Sequence, residues 1–332
     1  MRGASSRPTT VTAPGDVGFS SWLQAAAQLC RIETGAYPLT PGRLVYLLKL
    51  KFGDGLRVAL YRDVVRPRIL STPPVYTPDG RCEIHVLTSE ADWLNLLWAL
   101  KSFYRVAGPR YGLGIHDDGT LGAGARAALR EAFPDARLIT RAESDARVNA
   151  LLAPFPRCLA LRRTNTLAHK VLDFPAFLAS ERMMILDSDV LFFAAPARLL
   201  EILETSPRNS LNRDWRDGYT IDLATLGPQL DFILPPLINS GLGLLHRASL
   251  RYDWMEEFLG LPGILSHHHQ IEQTLFALCS ARFGYEMLPA EYDVHVGPRA
   301  RGIPSRHYTG PIRHLMYGEG VRDLVRAGFL EA

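Results

Sequence analysis

Met183-Met184-Ile185-Leu186-Asp187-Ser188-Asp189-Val190-Leu191-Phe192-Phe193 is the stretch from which this chain is best read. Two carboxylates spaced i, i+2 interrupt an otherwise apolar run. Such a run predicts a buried central strand. A carboxylate in that setting needs a partner or a metal ion, because desolvating an unpaired charge is costly. On an extended chain residues i and i+2 point to the same side, with Cα atoms roughly 6.5–7 Å apart. Asp187 and Asp189 can then reach one hard divalent cation and leave its other positions to phosphate oxygens.

Outward from this run the pattern alternates between strand and helix. Glu83–Thr88 reads as a strand, and Ser89-Glu90-Ala91-Asp92 as a capping box opening a helix whose Trp93, Leu96, Leu97, Leu100, Phe103 and Tyr104 fall at helical spacing. Gly112–His116 is a second strand, closed by Asp117-Asp118-Gly119-Thr120. A helix over 123–133, a strand over 136–140 and a helix over 164–180 lead into the Asp187 strand. This alternation predicts an α/β fold with a mainly parallel central sheet flanked by helices, in which ligands bind at the carboxyl ends of the strands. Thr88, Asp117, Asp118, Asp187 and Asp189 all fall at predicted strand ends.

The 332 residues hold one large α/β domain or two smaller ones. A net charge of +3 is too small to argue for a nucleic-acid partner. The four cysteines, Cys30, Cys82, Cys158 and Cys279, form no CxxC pair, so neither a zinc knuckle nor a disulfide framework is indicated. Residues 1–17 are polar and read as disordered, without the apolar core of a signal peptide. No apolar run is long enough to span a bilayer, which predicts a soluble, cytoplasmic protein. Residues 18–75 read as a helical basic arm and linker, and residues 80–332 as the main domain. Within the arm, 41–70 carries seven basic residues (Arg43, Lys49, Lys51, Arg57, Arg62, Arg66, Arg68) against Asp54 and Asp63. Two readings stay open for it. One is a helix packed on the main domain through Leu44, Leu47, Leu48 and Leu60. The other is a peripheral contact with the inner face of an anionic membrane. His267-His268-His269 reads as an exposed loop, and Asp214–Tyr219 as either a surface loop or an acceptor-binding loop.

Near the C-terminus lies Arg306-His307-Tyr308-Thr309-Gly310-Pro311-Ile312-Arg313. A histidine can offer a neutral nitrogen to a metal, a glycine lets backbone approach a phosphate, and an arginine can clamp its oxygens. Four further motifs stand in order before it: Asp187-Ser188-Asp189, Asn239-Ser240-Gly241 before an apolar strand, Glu272-Gln273, and Leu288-Pro289 with Tyr292. Over residues 82–316 this series resembles the glycogenin-like and lipopolysaccharide galactosyltransferase-like glycosyltransferases, which have the GT-A nucleotide-sugar fold.

The resemblance implies a metal-dependent hexosyltransferase. Its donor would be a nucleotide diphosphate sugar, with UDP favoured, and its acceptor a hydroxyl on a glycan or glycolipid. It implies that Asp187, Asp189 and His307 ligate Mn²⁺ or Mg²⁺, and that Gly310 and Arg313 hold the diphosphate. Lys170 would contact the diphosphate or donor sugar, Thr88 would lie against the nucleoside, and Asp118 would read the base. Asn239, Glu272 and Gln273 are its candidate catalytic residues, with Asn239 and Gln273 beside the transferred sugar. The chain departs from the pattern where Arg313 replaces the usual lysine and where the tryptophan after it is missing; Asp117-Asp118-Gly119 resembles the inverting families instead. Two other readings are a nucleotidyltransferase that makes the sugar nucleotide and a non-catalytic nucleotide- or glycan-binding domain. The first lacks a glycine-rich loop after the first strand, and the intact metal-type residues argue against the second.

Overall fold

The computed structural model describes residues 41–331. The predicted disordered segment 1–17 and the helix predicted within 18–35 lie outside the described residues. The chain divides into two compact units between Val65 and Arg66. In the first, a helix over Pro41–Phe52 and a short helix over Leu56–Leu60 run into a π-turn over Tyr61–Val65. Arg62 donates to Asp63 and to the Lys51 carbonyl, which ties the turn to the helix end. Val58 and Ala59 are buried, whereas Val45, Leu48 and Leu56 are exposed.

The second unit carries nine strands: β1 (Cys82–Thr88), β2 (Gly112–Asp117), β3 (Arg137–Ile139), β4 (Arg182–Leu186), β5 (Val190–Phe192), β6 (Asn209–Asn212), β7 (Asn239–His246), β8 (Tyr285–Met287) and β9 (Ser305–His307). Seven form one sheet in the order β3-β2-β1-β4-β7-β6-β8, and β5 pairs with β9 in a second. Only β7 runs against the other six of the large sheet, so the sheet is mainly parallel, as the alternation predicts.

The run 183–193 is not one strand. β4 is the centre of the seven, and the chain leaves it at Asp187. It turns through Ser188-Asp189, with Val190 N–H donating to the Asp187 carbonyl, and re-enters extended structure in the other sheet as β5. Both strands are wholly buried, so hydrophobicity runs on across the turn and hides it. The carboxylates therefore converge through a turn and not through the pleat of one strand.

The helix Trp93–Ala107 packs against β5 on one side, where Phe103 meets Phe192 edge to face at 5.1 Å. The helices Ala168–Phe177 and Ile271–Phe283 close the opposite side, with Val171, Phe174, Leu275 and Phe276 in one core with Met183, Ile185 and Leu245. The predicted capping box is not formed. Asp92 occupies the N-cap position of Trp93–Ala107 but makes no side-chain cap, because its carboxylate is taken by Arg313. Residues 66–77 are fastened to this unit. Lys101 donates to Thr72 and the Pro73 carbonyl, and Trp98 donates to the Arg66 carbonyl. Val75 N–H reaches the Ala132 carbonyl. No helix among the described residues is long and apolar enough to cross a membrane.

Candidate active site

The carboxyl ends of β1, β2 and β4 open onto a cavity of about 570 Å³. First-turn residues of Ala168–Phe177 and Ile271–Phe283, and the N-cap Asp92, line it as well. Thr88, Asp118, Lys170, Asp187, Asp189, Asn239, Glu272, Gln273, His307, Gly310 and Arg313 all border this one space, so every site residue expected from the sequence comes together here.

Two pairings build its floor. β4 pairs with β7, and Asp187 N–H donates to the Gly241 carbonyl, which sets Asn239–Gly241 beside the carboxylates. β5 pairs with β9 in a register that matches Val190 with His307, and Tyr308 N–H donates to the Asp189 carbonyl. His307 is thereby delivered to the turn. Ligand atoms of Asp187, Asp189 and His307 lie within 4.8 Å of one another.

His307 Nε2 sits 3.0 Å from Asp189 Oδ1 and 3.8 Å from Asp187 Oδ2. Its Nδ1 faces Asn239 Oδ1 at 3.0 Å. That oxygen also accepts from Gly241 N–H, while Asn239 Nδ2 donates to Asp214, so the amide's orientation is determined on both sides. Nδ1 must carry a proton to meet an acceptor, which leaves Nε2 to face the carboxylates. Burial opposes charge on this imidazole, but Asp189 and Asp187 outweigh it and raise its pKa above the usual histidine value. The same pairing, with Arg313, holds Asp189 below the ordinary carboxylate range against its own burial. A positive charge thus belongs between these oxygens. Two carboxylates and an imidazole nitrogen also make a donor set that suits Mn²⁺ or Mg²⁺.

Two basic residues hold the carboxylates. Lys170 is buried, 2.8 Å from Asp187 and 3.1 Å from Glu272, and it donates to the Ser240 carbonyl. Burial disfavours its charge, yet Asp187 and Glu272 overcome this and keep it above the usual lysine range. Arg313 bridges Asp189 and Asp92, each at 2.7 Å. Glu272 is raised above its ordinary value by burial and is bound by Lys170 and Ser240 Oγ. Gln273 spans Ser240 N–H and the Gly218 carbonyl.

On the far side, Thr88 and Thr309 present buried hydroxyls with no hydrogen-bond partner among the described residues. A Cβ on Gly310 would stand in open space. Of the two adjacent aspartates only Asp118 reaches the cavity, and its Oδ1 is held by Thr120. Asp117 is buried and paired with Arg126, and it caps the amides of Gly119 and Leu121. The sequence reading missed Asp92, Ser240 and Asp214, which anchor Arg313, Glu272 and Asn239. In sequence Asp92 reads as part of a helix cap, Ser240 only as the middle of the Asn239-Ser240-Gly241 motif, and Asp214 only as the start of a surface or acceptor-binding loop. His267 and His269 also line the cavity, so that loop is not a bystander.

No protein-family model matches this chain, and no curated protein matches it in sequence. Solved structures do match. The galactosyltransferase LgtC, in complex with donor and acceptor sugar analogs, superposes with a TM-score of 0.52 at 15% identity, covering 74% of this chain and 95% of that one. The chain has the GT-A fold. Mouse xyloside xylosyltransferase 1 in its apo form matches at a TM-score of 0.47 and 15% identity, over 72% of this chain and 99% of that one. The Mn/GDP form of core-mannan synthase A from Aspergillus fumigatus matches at 0.43 and 9%, over 74% and 88%. In this GT-A chain the metal-type triad stands where the parallel strands end.

Proposed function

We propose that this protein is a divalent-cation-dependent glycosyltransferase that moves a hexose from a nucleotide diphosphate sugar, a UDP-sugar by preference, to a hydroxyl of a glycan or glycolipid. The observation that carries this is the Asp187–Asp189–His307 cluster, with Nε2 turned toward both carboxylates by Asn239, at the floor of a cavity of about 570 Å³. In this reading Thr88 and Asp118 would contact the nucleoside, Thr309, Gly310 and Arg313 the diphosphate, and Gln273 and Asn239 the sugar; that all seven line one cavity supports it. A bound Mn²⁺ or Mg²⁺ supplies charge neutralisation to the diphosphate as it departs. Arg313 can exchange its carboxylate partners for phosphate oxygens, a geometry guanidinium favours.

In the net reaction the sugar C1–O bond to the diphosphate breaks with its electron pair on the leaving oxygen. The acceptor oxygen bonds to C1, and the acceptor's proton is released. Each carboxylate that lines the cavity already has a partner: Asp92, Asp118, Asp187, Asp189, Asp214 and Glu272 are held by cations or donors. That supports a retaining course in which the departing diphosphate takes the proton. A nucleotidyltransferase is disfavoured by the loop after β1, Ser89-Glu90-Ala91-Asp92, which has no glycine to cradle a phosphate and in which Glu90 accepts from the Gly122 amide.

The test is hydrolysis and transfer measured across a panel of UDP-, GDP- and ADP-sugars with Mn²⁺. A UDP-sugar should turn over, and chelation or Asp187→Asn should abolish the turnover while leaving the melting temperature near wild type. Turnover indifferent to both would remove the metal assignment.

A further inference from the structure

Lys170, Arg313 and Arg216 are the lysine and arginine side chains that border the cavity. The first two are each held by a pair of carboxylates. Arg216 differs. Among the described residues no carboxylate pairs with it, and its guanidinium lies over the Trp215 ring, 5.0 Å from the centroid. Both side chains are exposed, Trp215 at 41%, so a solute in the cavity can reach them. Stacking lays the guanidinium plane against the indole and leaves its N–H edge free to meet an oxyanion as a fork.

The segment that carries Arg216 is fastened on either side of it. Asp214 accepts from Asn239 Nδ2 through one oxygen and from the Trp215 N–H through the other. The Gly218 carbonyl accepts from Gln273 Nε2. Asn239 and Gln273 are the residues that the proposed reading sets beside the sugar, so Arg216 is tethered to that end of the cavity. Its neighbour Asp217 accepts from the Tyr219 N–H and does not border the cavity. The diphosphate, in the same reading, is met by Arg313 and a metal ion and makes no call on Arg216. A neutral sugar needs only hydroxyl partners, and the amides of Asn239 and Gln273 are such partners. An unpaired guanidinium tethered to both of them suits a sugar that bears an anion, with which it can form a charge-assisted, bidentate contact.

We propose that Arg216 is a specificity-determining residue: one of the two sugars that meet in this cavity carries an acid group, a carboxylate or a phosphate, and Arg216 binds it. This rests on the glycosyltransferase reading and adds the charge of its substrate. The acid group can sit on the donor's sugar or on the acceptor, and the recognition chemistry is the same for both.

The test uses the full chain with Mn²⁺ and has two arms. In the donor arm, hydrolysis of UDP-glucose and UDP-galactose is compared with that of UDP-glucuronic and UDP-galacturonic acid. In the acceptor arm, the UDP-loaded protein is read on an array of glucose- and galactose-terminated glycans, each matched with its uronic-acid and phosphorylated counterparts. The wild type should favour the acidic members in one arm by about tenfold or more, the scale of one hydrogen bond to a charged group, and the arm that shows this tells which sugar bears the acid. The preference should shrink as salt is raised, because the guanidinium is exposed. Arg216→Gln should erase it. Arg216→Lys, which keeps the charge and loses the fork, should retain part of it. A wild type that hydrolyses UDP-sugars yet favours the acidic members in neither arm overturns the proposal. So does an Arg216→Gln variant that loses UDP, measured by calorimetry, or the neutral sugars as strongly as the acidic ones, because Arg216 would then serve the diphosphate or only shape the loop. A wild type that neither binds UDP nor hydrolyses any UDP-sugar sinks the donor reading beneath the proposal.

Discussion

Gly241→Ala is the sharpest perturbation of the metal-type cluster, because it leaves all three candidate ligands chemically unchanged and acts on them only through packing. A Cβ at this position would stand 2.6 Å from His307 Nδ1 and 2.9 Å from Asn239 Oδ1, closer than carbon tolerates. Gly241 lies in β7, which is paired with β4 on one side and β6 on the other, so the backbone has little room to yield. The imidazole must move instead. That breaks the 3.0 Å contact with Asn239 and draws Nε2 away from Asp189. Overpacking of this kind costs about 1–3 kcal/mol of stability, and disturbing the groups that orient a metal ligand lowers metal affinity by about 10–100-fold. The assay is a calorimetric titration of Mn²⁺ into UDP-saturated protein, with urea midpoints, for wild type, Gly241→Ala, His307→Ala and the double variant. In the His307→Ala background the obstructing ring is gone, so adding Gly241→Ala should change Mn²⁺ affinity little. The coupling between the two should then approach the whole single-variant loss. Strictly additive losses would show that Gly241 does not act through His307 and would refute the reasoning.

Other expectations follow from the same geometry. Lys170→Met leaves Asp187 and the buried Glu272 without their shared cation and should destabilise the protein by about 3–5 kcal/mol; a urea midpoint within error of wild type would contradict the pairing. Asp118→Asn should erode a preference for UDP over ADP and GDP by about 1–3 kcal/mol, read from competition calorimetry, and equal wild-type affinity for all three nucleotides rejects base reading by Asp118. His85 and His116 are buried against each other, 2.9 Å apart, and burial lowers the pKa of both. Their contribution to stability is therefore full above the unfolded value of about 6.5 and declines as pH falls toward the depressed folded values. In an NMR titration downward from neutral pH their ring signals should shift only below the ordinary histidine value of about 6.5, and a midpoint at or above that value would count against the burial argument.

The alternation of strand and helix, the strand-end position of Thr88, Asp118 and Asp187, and the set of residues around the cavity were legible in the sequence. Each is a local pattern: apolar periodicity reports conformation over a few residues, and polar residues that end an apolar run mark where a parallel sheet meets solvent. What tertiary structure alone decided is how those residues answer one another. The turn at Ser188 was invisible because β4 and β5 are both buried, one in each sheet. The pairing of β5 with β9 brings His307 to Asp189, and the packing of helix Ala168–Phe177 brings Lys170 between Asp187 and Glu272. Arg313 draws Asp92 away from the cap its sequence position suggested. These partnerships join segments far apart in the chain, and they depend on strand order and on which charges must be neutralised once water is excluded. A local pattern carries neither, so the residues of the site could be named from the sequence while their partners could be found only in the fold.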